Sequence, residues 1–390
     1  MGLDKKEEAK LLPAYGRKRI LLLADAYREL SYSFQTMEGE HSTTMPDRRE
    51  IMFQKTLREN RKIMELRLKE MAECMEELAE ESLTYSTPNA RKVRILKNGL
   101  AKHGILLKEI FLLRKRNTMQ FVLTMRGQRN ADYTTEDVAE VLTEMFGMPL
   151  ISAKENLFFV AYEYDTYVFE CKGHFVFQTG IATASKEREK VSGDNYLVYD
   201  ITGTQKVCMI SDGAGSGEEA CADSERVLEL VEKYMDIGFS ATEAADTVNG
   251  LYVAQGREQN MPTLDACMVD LTEGKAFFHK YGAYDSFIKR GDKIERVKNT
   301  GYPLGFQVKE KDETVYELTE GDCILMITDG VLECFGDEKA LLQMYERMEI
   351  KDVEEAANYL MQCTIRRCAG RIRDDMTILV GKLLADGGQT

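Results

Sequence analysis

The chain has 390 residues, more than one ordinary domain holds, and 44% hydrophobic with 30% charged residues is the composition of a folded protein with a sizeable core. A net charge of −14 argues against a nucleic-acid binder, since phosphate backbones repel such a surface. Nine cysteines without a CxxC pair and four histidines without ligand spacing exclude a zinc site and point to free thiols in a reducing compartment.

From the start, Ile20, Leu23, Tyr27, Leu30, Phe34 and Met37 recur every three or four residues, a helical seam. The run Ile20 to Ala24 after Arg17-Lys18-Arg19 is too short for a signal peptide, and no stretch nears the ~18 apolar residues of a membrane span, so cytoplasm is the default. Residues 38–47 break the pattern, ending in Met45-Pro46-Asp47. A second long helix is expected from about Arg48 to Glu81, with Phe53, Leu57, Asn60, Met64, Leu68, Met71, Met75 and Leu78 on its seam. The two helices can form a hairpin in one chain or pair across a homodimer. We delimit residues 1–89 as a helical, coiled-coil-like regulatory or dimerisation region.

Residues 90–170 read as helix, two strands, helix, two strands. The first helix ends near Gly104, the strands cover Ile105 to Leu113 and Met119 to Met125, and Thr134 to Asp137 cap a helix that Gly147 stops after Phe146. Another strand is expected at Leu157 to Tyr164, giving a small ferredoxin-like α/β regulatory subdomain. Residues 171–390 are strand-rich, with helical blocks at Glu218 to Ala254, split near Gly238, and Glu338 to Cys368.

Four aspartate positions in this last part share a pattern. The strand Lys206 to Ser211 runs into Asp212-Gly213, and Cys323 to Thr328 runs into Asp329-Gly330. Asp374-Asp375 precede the strand Thr377 to Val380, and Gly193-Asp194 precede Tyr196 to Tyr199. A strand fixes a carboxylate rigidly, and the adjacent Gly frees the backbone to turn its carbonyl toward the same place. Carboxylates that converge repel one another unless a cation lies between them, and an all-oxygen set selects Mg²⁺ or Mn²⁺. Taken singly, each Asp-Gly is an ordinary turn. The Gly-rich loop Asp212 to Gly217 could face a phosphate at a helix start, but it matches neither GxGxxG nor the P-loop, and Ala214 breaks the glycine box of a kinase-like ATPase.

SDGAGSGEEA (211–220), TLDACMVDLTEGKAFFHKYGAYDSFIKRG (263–291), GDCILMITDGVLE (321–333), DDMTILV (374–380) and VSGDNY (191–196) resemble the phosphatase domain of the stage II sporulation protein E family, PP2C-type (PPM) serine/threonine phosphatases. The stretch from about Lys18 resembles that family's cytosolic regulatory region. The resemblance implies an α+β fold: a PP2C-like α-β-β-α sandwich over 171–390 with two Mn²⁺ or Mg²⁺ ions between the sheets. It assigns Asp212 as the bridging ligand, Gly213 as a carbonyl ligand, Asp329 and Asp374 to the second ion with Asp375 as the lesser candidate, and Asp194 to a metal-bound water. Ala214 stands where relatives carry Met, and Asp285 where many carry Pro.

The expected reaction is hydrolysis of phosphoserine or phosphothreonine on a regulatory protein by a metal-activated water, with Asp212, Asp329 and Asp374 as the catalytic set. By resemblance the substrate is an anti-sigma-factor antagonist in sporulation-type signalling, and the location is cytoplasmic and membrane-proximal. The alternative is a pseudophosphatase or coiled-coil signalling scaffold on the same fold. His174 and His279 sit in apolar strand patterns and read as structural.

Overall fold

Apolar runs of strand length, bounded by Gly, Asp and Asn, pair here as antiparallel ladders, while the capped amphipathic runs pack outside them as helices. The computed structural model describes residues 20–33, 65, 68–69, 72, 86–115, 118–128, 133–236, 239–255, 261–299, 301–306 and 314–386. Residues 20–33 are helical (α1), as are 65, 68, 69 and 72 (α2). Of the two expected N-terminal seams, Tyr27, Leu30 and Leu68 are buried together, joined by Ala24 and Ala72, while the break at 38–47 and most of the second seam, Asn60 included, lie outside the described residues.

The next unit contains α3 (Ala90–Lys102), β1 (Ile105–Lys115), β2 (Thr118–Gly127), α4 (Thr135–Phe146), β3 (Leu150–Ser152) and β4 (Asp165–Cys171). Thr134 and Asp137 close a reciprocal capping box on α4, and Gly147 ends it at φ 68° in the left-handed region. The expected element order is present, but the sheet runs β1-β2-β4-β3 with every neighbouring pair antiparallel. Two hairpins lie side by side, so the sheet lacks the interleaved β-α-β crossovers of a ferredoxin-like fold. The strand expected at Leu157 to Tyr164 is a loop instead. Its backbone serves the α4 start, where Thr135 N donates to Phe158 O at 2.9 Å, and Leu157, Phe158 and Phe159 are exposed.

The remaining strands build two five-stranded antiparallel sheets. One, ordered β11-β10-β13-β14-β5, contains β5 (Phe175–Ala184), β10 (Ser286–Arg290), β11 (Lys293–Val297), β13 (Cys323–Ile327) and β14 (Met376–Ala385). The other, β12-β9-β8-β7-β6, contains β6 (Asp194–Thr202), β7 (Gln205–Asp212), β8 (Leu264–Asp270), β9 (Lys275–Tyr281) and β12 (Thr314–Glu317). Phe177, Ile210, Phe278, Ile288, Met326 and Leu379 fill the layer between them.

Helices α5 (Glu218–Asp236) and α6 (Ala241–Gln255) cover the β6–β9 sheet and share one apolar cluster with α1 and α2. Helices α7 (Asp329–Phe335), α8 (Glu338–Arg347) and α9 (Val353–Arg367) cover the other sheet. The layers are therefore α-β-β-α, as the resemblance implied. Among the described residues, no helix is long and apolar enough to cross a membrane.

Candidate active site

The register of the strands brings the aspartates together at one end of the sandwich. Asp194, the first residue of β6, is the antiparallel partner of Asp212, the last residue of β7. In the facing sheet β13 and β14 are neighbours, so Asp329, just past β13, and Asp374, just before β14, emerge side by side. The Asp212 carboxyl lies within hydrogen-bonding reach of those of Asp194 and Asp329 and feels the charge of Asp374.

Asp194 is held by two hydroxyls. Its Oδ2 accepts from Thr328 Oγ1 at 2.8 Å and from Thr377 Oγ1 at 2.9 Å. Its Oδ1 is buried with no donor. Asp194 also meets the Asp212 carboxyl, itself an acceptor. Two carboxylates share such a contact only through a proton or a cation. Burial first, then the Asp194 and Asp329 carboxylates, push Asp212 up to about 9. Burial likewise raises Asp194 to about 6, and burial with the Asp374 charge raises Asp329.

Asp374 and Asp375 are separated by their surroundings. Asp375 is buried, accepting from Lys186 N and Gly193 N, each at 2.8 Å. Asp374 stays partly open, 3.7 Å from the Lys186 ammonium. The loop after β7 is fastened to the same frame: Gly213 N donates to Gly193 O at 3.1 Å, and Ser224 Oγ of α5 donates to Gly193 O at 2.6 Å. A Cβ at Gly213 would stand 1.9 Å from Ala220 O, so only glycine lets this loop close against α5.

These groups suit hard divalent cations by donor type: carboxylates, a main-chain carbonyl at Gly213, and an orphaned acid oxygen on Asp194. Their side chains are not drawn into a finished cage, for among the described residues no three His, Cys, Asp or Glu converge closely enough to hold an ion. A cavity of about 290 Å³ opens beside them, lined by Asp212, Thr263, Asp265, Tyr284, Thr328 and Asp329 among others.

A pH dependence follows from the raised acids. In the folded, ion-free chain Asp194 and Asp212 keep protons up to about 6 and about 9, against 3.8 when unfolded. Their contribution to stability is therefore most favourable at acid pH and is lost as pH climbs through that window. Cation binding must expel those protons. We expect Mn²⁺ to raise the melting temperature more at about pH 8.5 than at about pH 6, with proton release visible when calorimetric titrations are compared between buffers of different ionisation enthalpy. Equal shifts at both pH values and no proton release would contradict this account of the site.

Three contributors lie outside the aspartate pattern read from the sequence. Thr328 and Thr377 sit inside the quoted motifs, but as strand residues they carried no signal for holding Asp194. Lys186 comes from the β5–β6 loop, which showed no pattern at all. His174 Nδ1 lies 3.2 Å from Thr272 O, and His279 is buried, its Nε2 3.7 Å from Asp246 Oδ1. Asp285, the departure from proline, accepts from Arg296 Nη1 at 2.9 Å and Asn299 N at 2.8 Å.

Two facing antiparallel sheets jacketed by helices, with aspartates gathered at one end of the sandwich, define a PP2C-type phosphatase domain. Over 86% of the chain the fold superposes on the PP2C phosphatase domain and regulatory-domain fragment of the cell fate determinant SpoIIE from Bacillus subtilis, at a TM-score of 0.59 and 23% identity, covering 99% of that chain. Residues 203–383 match the family model of stage II sporulation protein E. The chain is 31% identical over 251 residues to stage II sporulation protein E of Priestia megaterium, covering 63% of this chain and 43% of that protein. It is 32% identical over 210 residues to the Bacillus subtilis (strain 168) protein, covering 53% of this chain and 25% of that one. It thus spans less than half the length of the curated relatives it matches.

Proposed function

We propose that the chain is a metal-dependent protein serine/threonine phosphatase, with its catalytic part at 171–390 and regulatory parts at 1–89 and 90–170. The observation that carries this reading is the Asp194–Asp212 contact, a buried and a half-buried acid within hydrogen-bonding reach of each other, with Asp194 Oδ1 lacking a donor. Asp212, the Gly213 carbonyl, Asp329 and Asp374 would hold two Mn²⁺ or Mg²⁺ ions, which when bound supply a water of lowered pKa and screen the phosphoryl oxygens. Asp194, fixed by Thr328 and Thr377 beside Asp212, would hold a metal-bound water, as the family resemblance implies. Asp375, with both oxygens on main-chain donors, braces the loops that carry Asp374 and Asp194 rather than serving as a ligand. Lys186 faces Asp374 and can follow a phosphate's negative charge into the cleft.

The test is hydrolysis of an aryl phosphate with and without Mn²⁺, comparing the native chain with Asp329→Asn. We expect manganese-dependent turnover that falls at least about a hundredfold in the variant. Equal rates would sink the assignment. The alternative, a scaffold without catalysis on the same fold, predicts no turnover in either protein together with retained partner binding.

The supporting reading for regulation is that the N-terminal helices act through α5 and α6. Tyr27 and Leu30 pack in one cluster with Val231, Tyr234 and Val248, and Glu29 pairs with Lys233. α5 in turn carries Ala220 and Ser224 against the Gly213 loop. Removing residues 1–89 should weaken Mn²⁺ affinity about tenfold, the size of a typical coupling between sites. Unchanged affinity and rate would count against this. We further propose a phosphorylated anti-sigma-factor antagonist as substrate, a homodimer through the N-terminal helices, and a cytoplasmic, membrane-proximal location.

A further inference from the structure

Beside the aspartates, the cavity wall holds a charged pair that the reaction above does not use. Asp265 on β8 and Lys280 on β9 are direct cross-strand partners, 3% and 5% exposed. Asp265 Oδ2 accepts from Lys280 Nζ at 2.5 Å and Ser286 Oγ at 2.7 Å. Lys280 spends its other donors on Tyr284 O at 2.8 Å and Ser286 Oγ at 2.7 Å. An ammonium has three donors and a hydroxyl one, so this network is fully used. It leaves Asp265 Oδ1 buried and without a donor. A carboxylate held so firmly, in a cavity lined also by Asp212 and Asp329, is a built acceptor awaiting a donor.

We propose that Asp265 is a substrate-binding residue: its Oδ1 accepts a main-chain N–H next to the phosphoserine, so the enzyme reads the peptide backbone as well as the phosphate. This rests on the phosphatase reading. Position argues for it. Asp265 pairs with Ile210, two residues before Asp212, so the two carboxylates are rooted about 7 Å apart along the sheet. That is the scale of the few bonds linking a phosphoserine's phosphorus to its flanking amides. Charge argues for a neutral donor, because Lys280 already balances Asp265. Among the described residues that line the cavity, the remaining acid besides Asp212 and Asp329 is Asp285, which is committed to Arg296 and Asn299 N. A main-chain N–H is neutral and present in every phosphoprotein, so the contact would favour protein phosphate esters over small ones without demanding a sequence.

The experiment uses the full chain with Mn²⁺ and a capped Ala-phosphoserine-Ala tripeptide, two depsipeptide analogues in which an ester oxygen replaces one N–H flanking the phosphoserine Cα, and an aryl phosphate. On the native chain, one analogue should lose about tenfold in kcat/KM, as befits a hydrogen bond to a charged acceptor. In Asp265→Asn that difference should vanish, and the ratio of tripeptide to aryl phosphate kcat/KM should fall about tenfold. Two analogues as good as the tripeptide on the native chain overturn the proposal, whatever the variant's folding. An Asp265→Asn effect equal on every substrate also overturns it, since a merely structural role moves all rates together. If the native chain hydrolyses no aryl phosphate with Mn²⁺, the reaction itself is wrong and the proposal falls with it, a result distinct from the other two.

Discussion

Asp212→Asn is expected to remove activity and add stability. The side chain lies where Asp194, Asp329 and Asp374 all direct negative charge, and burial withholds water from it. In the ion-free chain those influences push its acid up to about 9, so near neutrality the folded state must either carry a proton there or bear an unscreened charge. An amide of the same shape bears neither. The variant should be more stable than the native chain without metal, on the order of 2 kcal/mol at neutral pH, and the gain should shrink toward pH 4 as the native acid takes up its proton. Aryl phosphate turnover should drop about a thousandfold or more, the scale of removing a preorganised charge-stabilising group. The native chain should gain more stability from Mn²⁺ than the variant does. Thermal melts with and without Mn²⁺, alongside the rate, read all three effects. A variant that is less stable without metal would show that Asp212 is a structural acid and that its crowding costs the fold nothing.

Lys280→Met should be among the most destabilising single changes in the catalytic part. It removes the ammonium that meets Asp265 while keeping most of the apolar stem, so what is lost is charge compensation rather than volume. Breaking a buried pair from one side typically costs about 3–5 kcal/mol, because the other charge stays behind. Tyr284 O and Ser286 Oγ lose a donor as well. The double variant Lys280→Met with Asp265→Leu should recover most of that loss, since replacing both members with apolar groups is often close to neutral. Urea denaturation of the three proteins gives the cycle. A small loss in the single variant, or a double variant no better than the single, would mean that Asp265 does not depend on Lys280 for its charge compensation.

The sequence made legible what is local and periodic. The capping box of Thr134 and Asp137 and the stop at Gly147 depend on neighbours a few residues apart, and both formed as expected. Asp212 and Asp329 could be found because a strand, an acid and a glycine follow one another directly. What escaped depends on register between distant strands. Nothing local tells Thr328 and Thr377 that they flank Asp194, or places Asp265 opposite Lys280. The loop at Leu157 to Tyr164 misled for the reverse reason. Its apolar run has the composition of a strand, but its backbone serves the start of α4, and its aromatic rings remain in water. Asp374 and Asp375 are adjacent and chemically identical, so only the amides of Lys186 and Gly193 distinguish them.

The pairing of β5 with β14 has a bearing on how the enzyme comes into being. These strands match from Phe175↔Ala385 to Ala184↔Met376, so the earliest strand of the sandwich waits for the latest. On a ribosome the nascent chain can complete neither this ladder nor the neighbouring β13–β14 contact until β14 has left the exit tunnel. Thr377 and Asp375 arrive with that strand, and until then Asp194 lacks one of its two clamping hydroxyls and its loop lacks a brace. The aspartate cluster is therefore assembled only when β14 has been made and has paired between β5 and β13.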